Sequence, residues 1–336
     1  MNFFFIKLMP NFFVKIFAKA YIGGNSEENV LSKAKEQYIK NKFLATLDAL
    51  GEDVKSQSDI NKYFDIYLSM IKKVSENDIF TNEYERPSVS IKPSCFLISI
   101  KKPDGSLDTD KMDWNACYET MRKICSFAKE KNVRVTIDME DKGFTDFTLD
   151  SYFKLLDEGF DNVGTVIQSM LFRSKEDVKR FNNKSRVRLV IGIYREPATV
   201  AFTNRNDMKD QLITLSKELL DRGVFLEFGT HDEFYIKRFF NEVIIPNKID
   251  SSRYEVQFLL GVPLGNLDKK LISGEYLSKL LDEKEEKFEN TKVYARFYLP
   301  FADNWNNALA YSKRRLSENP NIILYGLKNL LPKKEV

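Results

Sequence analysis

Polar side chains that could bind or react with a small molecule occur on nearly every short β-branched segment of this chain. Most stand at or near the carboxyl end of their segment, although Arg188 falls early in its own. A buried strand gains nothing in packing from a charged group, so a polar group on nearly every strand indicates a functional site. These residues are Lys92, Asp138, Glu140, Gln168, Arg188, Tyr194, His231 and Tyr298.

A second polar group lies in the segment ALAYSKRRLSEN, residues 308–319. On a helix, Tyr311 would precede Arg314 and Arg315 by three and four residues, and Glu318 would follow them at the same spacings, so all four share a broad face. A guanidinium fork matches a carboxylate in bidentate fashion, and Glu318 could hold one arginine in place. The spacing therefore predicts a carboxylate clamp, with a solvated charged face as the alternative.

Composition excludes several classes of protein. The 336 residues are 43% hydrophobic and 30% charged, which is typical of a globular chain and not of a disordered, collagen-like or coiled-coil one. A formal charge of +3 is too small and too evenly spread to predict nucleic-acid binding. The three cysteines are irregularly spaced, which favours a reducing cytoplasm, and the single histidine, His231, excludes a zinc site with several histidine ligands. The phosphate-binding motifs GxGxxG and GxxxxGK[ST] do not occur.

The first 80 residues are expected to form an N-terminal helical arm. Ser26 is typical of a helix start, apolar residues then recur at helical spacing, and Gly51 is expected to end this helix. A second helix is expected to begin near Ser58.

From residue 88 onward, β-branched segments alternate with charge-rich helical ones, which predicts a parallel sheet with helical crossovers. Seven such repeats favour a (β/α)8 barrel over residues 81–336, an α/β fold with its site at the carboxyl ends of the strands. The expected eighth strand is IILYG at 322–326. The other expected strands cover residues 89–94, 133–140, 163–169, 187–193, 224–230, 254–261 and 292–300, and the clearest helices 114–130, 150–158, 207–222 and 276–288.

An ordered series of motifs resembles the proline dehydrogenases, specifically the small monofunctional bacterial ones. In chain order these motifs are VSIKPS, IDMED, VIQS, RLVIGIYREP, GTHD, YEVQFLLGV, YLPF and YSKRRLSEN, and AYIGG and ATLDALGE upstream also fit the family. The resemblance spans roughly residues 10 to 320. It implies a (β/α)8 barrel with noncovalent FAD that oxidises L-proline to Δ1-pyrroline-5-carboxylate and passes electrons to a membrane quinone. A separate pyrroline-5-carboxylate dehydrogenase would complete the oxidation to glutamate.

The resemblance also implies roles for particular residues. Asp138 and Arg188 would take part in catalysis, with Asp138 near the substrate and Arg188 beside the flavin ring. Residues implied for substrate binding are Lys92, Arg314 and Arg315 on the carboxylate, Leu259, Tyr298 and Tyr311 as walls, and Glu318 as the acidic partner of the arginines. Residues implied for the cofactor are Gln168, Arg188, Val190, Gly192, Tyr194, Arg205, Thr230 and His231.

Several positions depart from the family pattern. The family's strand-4 motif usually reads V-K-G-A-Y but is V-I-G-I-Y here, so Ile191 replaces a lysine that touches the flavin. Such a loss would make flavin reduction less favourable or the cofactor looser. This departure leaves a weakly active or inactive paralogue as an alternative, and the shape of the pocket walls leaves an oxidase of a proline analogue such as hydroxyproline as another.

The N-terminal 19 residues combine apolar and aromatic side chains with Lys7, Lys15 and Lys19 and carry no acid. Their apolar runs are too short to span a bilayer. This segment either packs on the body of the protein or lies in a membrane interface. The expected location is the cytoplasm, with a peripheral contact on the inner face of the membrane.

Overall fold

A computed structural model describes residues 21–51, 54–100, 102, 108–303, 308, 309 and 312 of the chain. Within this part, eight parallel strands pair in sequence order and the first closes on the last, which makes a complete barrel. The predicted (β/α)8 fold is therefore confirmed. The strands are β1 Leu44–Ala49, β2 Ser88–Ile91, β3 Val135–Ile137, β4 Val163–Gln168, β5 Arg186–Val190, β6 Phe225–Gly229, β7 Tyr254–Leu259 and β8 Ala295–Phe301.

Helices follow the strands and cover the outside of the barrel. Shorter 3-10 turns lie at Pro93–Phe96, Thr109–Lys111, Val178–Arg180 and Ser251–Arg253, and a π-helical turn spans Phe239–Ile244. The α-helices are α1 Glu27–Asn41, α2 Gln57–Ser75, α3 Trp114–Glu130, α4 Thr145–Asp157, α5 Ser174–Asp177, α6 Arg205–Asp221, α7 Glu233–Arg238, α8 Leu267–Ser273 and α9 Glu275–Asp282.

The first two helices have well-defined ends. Ser26 caps α1 by accepting a hydrogen bond from the Asn29 amide, as the sequence predicted, and the left-handed backbone of Lys42 ends that helix. Ser56 caps α2 in a reciprocal capping box with Asp59, two residues before the predicted start.

The prediction of a helix that continues to Gly51 is wrong, because the chain forms β1 from Leu44 to Ala49. All six residues of β1 are buried, since its neighbours β2 and β8 flank it and helices cover it outside. The first barrel strand thus lies within the segment that had been assigned to the N-terminal arm. The segment 322–326, expected to supply the eighth strand, lies outside the described residues.

The other seven strands occur where they were expected but are shorter, because several motifs leave the sheet at its carboxyl edge. The segment 133–140, for example, forms a strand only over Val135–Ile137. Among the helices that the structure describes, none combines the length and the hydrophobicity needed to cross a membrane.

Candidate active site

The interior of the barrel is polar, whereas large branched apolar residues fill most barrels of this kind. Side chains of a strand alternate between its two faces, and on several strands the inward set is largely polar. Gly164 on β4 shows how tightly this interior is filled, because a Cβ there would lie 2.7 Å from the Arg186 guanidinium carbon. The buried inward residues include Thr46, Asp48, Ser88, Ser90, Thr136, Arg186, Arg188, Glu227, Glu255, Gln257 and Arg296.

Asp138, directly after β3, is the centre of a hydrogen-bonded cluster at the carboxyl end of the barrel. Its Oδ2 accepts a hydrogen bond from the Tyr298 hydroxyl at 2.7 Å, and its Oδ1 accepts from Arg188 Nη1 at 2.7 Å and from Ser90 Oγ at 2.9 Å. The Lys92 ammonium lies 3.4 Å from Oδ2. The structure therefore brings together four residues that the sequence had marked as functional: Lys92, Asp138, Arg188 and Tyr298.

Lys92 lies between two carboxylates. Its ammonium donates a hydrogen bond to Asp48 Oδ1 and another to the Tyr298 hydroxyl oxygen at 3.1 Å. The side chain of Lys92 is 16% exposed and that of Asp138 is 12% exposed, whereas that of Asp48 is fully buried. A ligand at the barrel mouth could therefore reach Lys92 and Asp138 but not Asp48.

These ion pairs fix the charges of the cluster. Burial alone would lower the pKa of Lys92, but Asp48 and Asp138 outweigh it and raise the pKa well above its usual range. Burial would raise the pKa of Asp138, yet Lys92 and Arg188 together hold it below its ordinary value. At neutral pH both cations keep their protons and Asp138 stays a carboxylate.

Arg188 is oriented by β6 and β7 as well as by Asp138. Its Nε donates to Gln257 Oε1 at 2.7 Å and lies 3.6 Å from Glu227 Oε2. Its Nη2 is buried and has no hydrogen-bond partner among the described residues. Arg188 is charged at neutral pH, and its Nη2 could donate a hydrogen bond to an acceptor atom of a bound ligand.

Gln168 at the end of β4 also has a fixed side chain with one buried polar atom that lacks a hydrogen-bond partner among the described residues. Its amide nitrogen donates to the carbonyl oxygens of Met139 and Glu140 at 3.3 and 3.1 Å, which fixes the side chain. Its Oε1 is buried and, within the part of the chain that the structure describes, accepts no hydrogen bond. It is therefore a second oriented group that could bind a ligand.

The loop after β5 leaves the barrel beside Gln168. Val190, Gly192 and Tyr194 are each partly exposed there, as a contact surface for a ligand requires. Gly192 has φ +105°, a left-handed conformation that favours glycine, and a Cβ would lie 2.7 Å from the Met170 sulfur. Ile191, at the position of the family's lysine, is partly buried and packs against the core.

His231, after β6, links two loops at the barrel mouth. Its Nε2 accepts a hydrogen bond from the Leu259 amide at 2.7 Å, so that nitrogen carries no proton in this arrangement. Leu259 and His231 are both partly exposed, while Thr230 is buried and accepts a hydrogen bond from the Asp232 amide at 3.3 Å. Both strand ends thus present predicted ligand residues side by side.

Other predicted residues are not part of this cluster. Arg205 is exposed at the first position of α6, and nothing in its surroundings identifies a ligand. The clamp residues Tyr311, Arg314, Arg315 and Glu318 lie outside the described residues.

Asp48, Glu227 and Gln257 were missed by the sequence analysis. Glu227 and Gln257 lie inside expected strands, and the alternation of inward residues could have identified them. Asp48 could not be found in that way, because its segment was read as a helix.

Comparisons with known proteins agree with the family resemblance seen in the sequence. The family model described as Proline dehydrogenase matches residues 31–322. Proline dehydrogenase 1 of Bacillus subtilis subsp. natto is 28% identical over 339 residues and covers 98% of both chains. Proline dehydrogenase of Deinococcus radiodurans is 29% identical over 319 residues and covers 94% of this chain and 90% of its own length.

Solved structures support the fold. Proline utilization A from Bdellovibrio bacteriovorus, inactivated by N-propargylglycine, superposes with a TM-score of 0.71 and 24% identity over 90% of this chain and 32% of that one. A polar barrel mouth, a family match over most of the chain and relatives of similar length agree: the chain belongs to the proline dehydrogenase family.

Proposed function

We propose that this proline-oxidising enzyme converts L-proline to Δ1-pyrroline-5-carboxylate with noncovalently bound FAD and passes the electrons to a membrane quinone. The observation that carries the proposal is the cluster of Lys92, Asp138, Arg188 and Tyr298 at the barrel mouth. Proline is a small zwitterion with an apolar ring. It needs a cation for its carboxylate and walls that exclude water, and this cluster offers both.

On the substrate side, the partly exposed Lys92 ammonium would bind the carboxylate together with Arg314 and Arg315, with Glu318 holding the arginines. Leu259, Tyr298 and Tyr311 would enclose the ring. Oxidation removes a hydride from a ring carbon and a proton from the amine, which leaves a C=N bond. The contribution of these residues is to orient the ring carbon, since a step of this type needs no protein nucleophile.

Asp138 has the environment of a positioning carboxylate. It accepts hydrogen bonds from Tyr298, Arg188 and Ser90 and has a lowered pKa, so it is a poor acceptor for the amine proton at neutral pH. Its role would be to hold Tyr298 and Arg188 against the substrate and the cofactor.

The residues present fit a flavin. Arg188 Nη2 and Gln168 Oε1 are oriented, buried and without partners among the described residues, so a donor and an acceptor are available to a heterocycle with both kinds of atom. Val190, Gly192, Tyr194, Thr230 and His231 would contribute further contacts, and Arg205 would contact the phosphate half. FAD, when bound, would supply the two-electron acceptor for the substrate.

The membrane quinone requires the protein to come close to a bilayer. The apolar, lysine-containing residues 1–19 would provide a peripheral contact, although this segment lies outside the described residues. A separate dehydrogenase would consume the pyrroline product.

The proposal is tested by initial rates with a soluble electron-accepting dye on L-proline and hydroxyproline. We expect proline to be the better substrate, with an imine product that can be trapped by o-aminobenzaldehyde. A higher specificity constant on hydroxyproline would favour the analogue oxidase instead. If neither substrate supports reduction of the dye, an inactive paralogue is favoured.

A further inference from the structure

Asp48 lies on β1 beneath the predicted substrate site and forms an ion pair with Lys92. Its Oδ1 accepts a hydrogen bond from the Lys92 ammonium, and its Oδ2 is buried with no hydrogen-bond partner among the described residues. Its side chain is fully buried. Asp48 therefore cannot touch a ligand at the barrel mouth, but Lys92, which it contacts directly, can transmit its influence.

A purely structural role would not require a charge at this position. Thr46, two residues earlier on the same inward face of β1, meets its neighbour with a neutral hydroxyl pair, Thr46 Oγ1 and Ser88 Oγ at 2.8 Å. A buried unpaired carboxylate oxygen is costly, so Asp48 is a poor choice for packing alone. Its negative charge has a consequence for Lys92, which shares its ammonium between Asp48 and Asp138.

We propose that Asp48 is a positioning residue that holds the Lys92 ammonium at the barrel mouth and sets, through its negative charge, how strongly that ammonium attracts the substrate carboxylate. This inference rests on the proposed function, in which Lys92 binds the carboxylate of proline. Asp48 then has two opposite effects on the affinity for the substrate carboxylate. The hydrogen bond from Lys92 keeps the cation in place, while the charge of Asp48 competes with the substrate carboxylate for the same cation.

Two substitutions separate these effects. Asp48→Asn keeps an oxygen that can accept the hydrogen bond from Lys92 but removes the charge, whereas Asp48→Ala removes both. The matched control is Thr46→Val, which removes a buried polar group from the same strand face without touching Lys92.

The probes are two fragments of proline, titrated calorimetrically into the purified protein with its cofactor. Cyclopentanecarboxylate has the ring and the carboxylate but no amine, and pyrrolidine has the ring and the amine but no carboxylate. We expect Asp48→Asn to bind cyclopentanecarboxylate about fivefold more tightly than the native protein, because one competing charge is gone. Its affinity for pyrrolidine should stay the same or fall.

Asp48→Ala should bind cyclopentanecarboxylate more weakly than the native protein, since Lys92 loses one of the three groups that position its ammonium. Thr46→Val should bind both probes as the native protein does. A loss of structure alone would weaken the binding of both probes to Asp48→Asn, and that result would overturn the inference. Unchanged carboxylate affinity in Asp48→Asn, or tighter carboxylate binding in Asp48→Ala, would also overturn it.

Lys92→Met distinguishes failure of this inference from failure of the proposed function. We expect this variant to lose cyclopentanecarboxylate affinity by at least about tenfold, as expected when a charged partner is removed. If it binds the probe as well as the native protein, the proposed carboxylate site is wrong. If it binds poorly while Asp48→Asn matches the native protein, only the role of Asp48 is wrong.

The double variant Lys92→Met/Asp48→Asn tests the coupling directly. Without the lysine, removal of the Asp48 charge should no longer tighten the carboxylate probe. The double variant should also melt at a higher temperature than Lys92→Met, in which Asp48 is a buried carboxylate without its cation. An equal gain in carboxylate affinity with and without Lys92 would contradict the proposed coupling.

Discussion

Tyr298 joins the two charges of the cluster, because its hydroxyl donates to Asp138 at 2.7 Å and accepts from Lys92 at 3.1 Å. Tyr298→Phe removes both hydrogen bonds and leaves the ring. We expect kcat/KM for proline to fall about tenfold, as for the loss of a hydrogen bond to charged partners. Steady-state rates with a soluble dye measure the effect.

The matched control is Tyr254→Phe. The Tyr254 hydroxyl is also buried but has no partner among the described residues, so its removal should leave kcat/KM unchanged. Equal rates for Tyr298→Phe and the native protein would show that the two hydrogen bonds of the Tyr298 hydroxyl do not contribute to catalysis.

His231 is the only histidine in the chain, so its loss can be interpreted without interference from others. Its Nε2 accepts the Leu259 amide hydrogen at 2.7 Å, which occupies that nitrogen as an acceptor and argues against its use as a base. We expect His231→Ala to lower flavin occupancy, measured as the ratio of visible to protein absorbance. Full flavin occupancy with no turnover would instead indicate a catalytic base.

Among the elements, β1 shows why part of the fold was not predictable. Strands buried on both faces lack a clear alternation of apolar and polar residues, and Leu44 and Leu47 have a spacing that also fits a helix. The other seven strands alternate with helical segments along the chain, so their order indicated the barrel. Lys92, Asp138 and Tyr298 were found because they lie at or near the carboxyl ends of expected strands, and Asp48 was missed together with its strand.

The turn after β2 is fastened to the end of β3 by Glu140. The carboxylate of Glu140 accepts hydrogen bonds from the Ser94 amide at 2.8 Å and from Ser94 Oγ at 2.5 Å, two residues beyond Lys92. Burial raises the pKa of Glu140 to about 7, although the bonds from Ser94 oppose the rise. The folded state therefore binds a proton that the unfolded chain has already lost.

This raised pKa predicts a pH-dependent stability. Stability should fall as pH rises from about 4.3, the pKa of an unfolded glutamate, to about 7, because unfolding in this range releases the proton that the folded state still binds. Glu140→Gln cannot ionise, so its melting temperature should rise relative to the native protein across this window and then level off. The corresponding gain in the free energy of unfolding of Glu140→Gln, relative to the native protein, should approach about 3 kcal/mol.

Thermal unfolding between pH 4.5 and 8.5 measures this difference. The control is Glu130→Gln, at the exposed end of α3, whose melting curve should run parallel to the native one. A constant offset between Glu140→Gln and the native protein at every pH would show that Glu140 titrates normally.

At the scale of the whole molecule, the barrel combines a charged interior with a site at one end. Arg186 pairs with Glu227 and Arg296 with Glu255 deep among the strands, and Arg188 connects this network to Asp138. Such pairs are strongly destabilising when broken singly, so the interior that supports the site should tolerate few single charge changes.

The proposed membrane contact of residues 1–19 can be tested by their deletion. Deletion of residues 1–19 should weaken sedimentation with anionic liposomes, because ten Phe, Ile, Leu and Val side chains and three lysines are lost from the proposed membrane contact. Oxidation of proline with a soluble dye should persist. Neutral liposomes are the control, and equal pelleting of both proteins with anionic vesicles would contradict the membrane role. An insoluble truncated protein would indicate that the segment packs on the barrel.

The most direct test of proline oxidation by a bound flavin is an anaerobic absorbance titration of the purified protein with L-proline. We expect a yellow protein whose visible flavin band bleaches when proline is added, and a Lys92→Met variant that needs far more proline for the same change. A protein that holds no flavin, or a flavin band that proline leaves unchanged, would contradict the account.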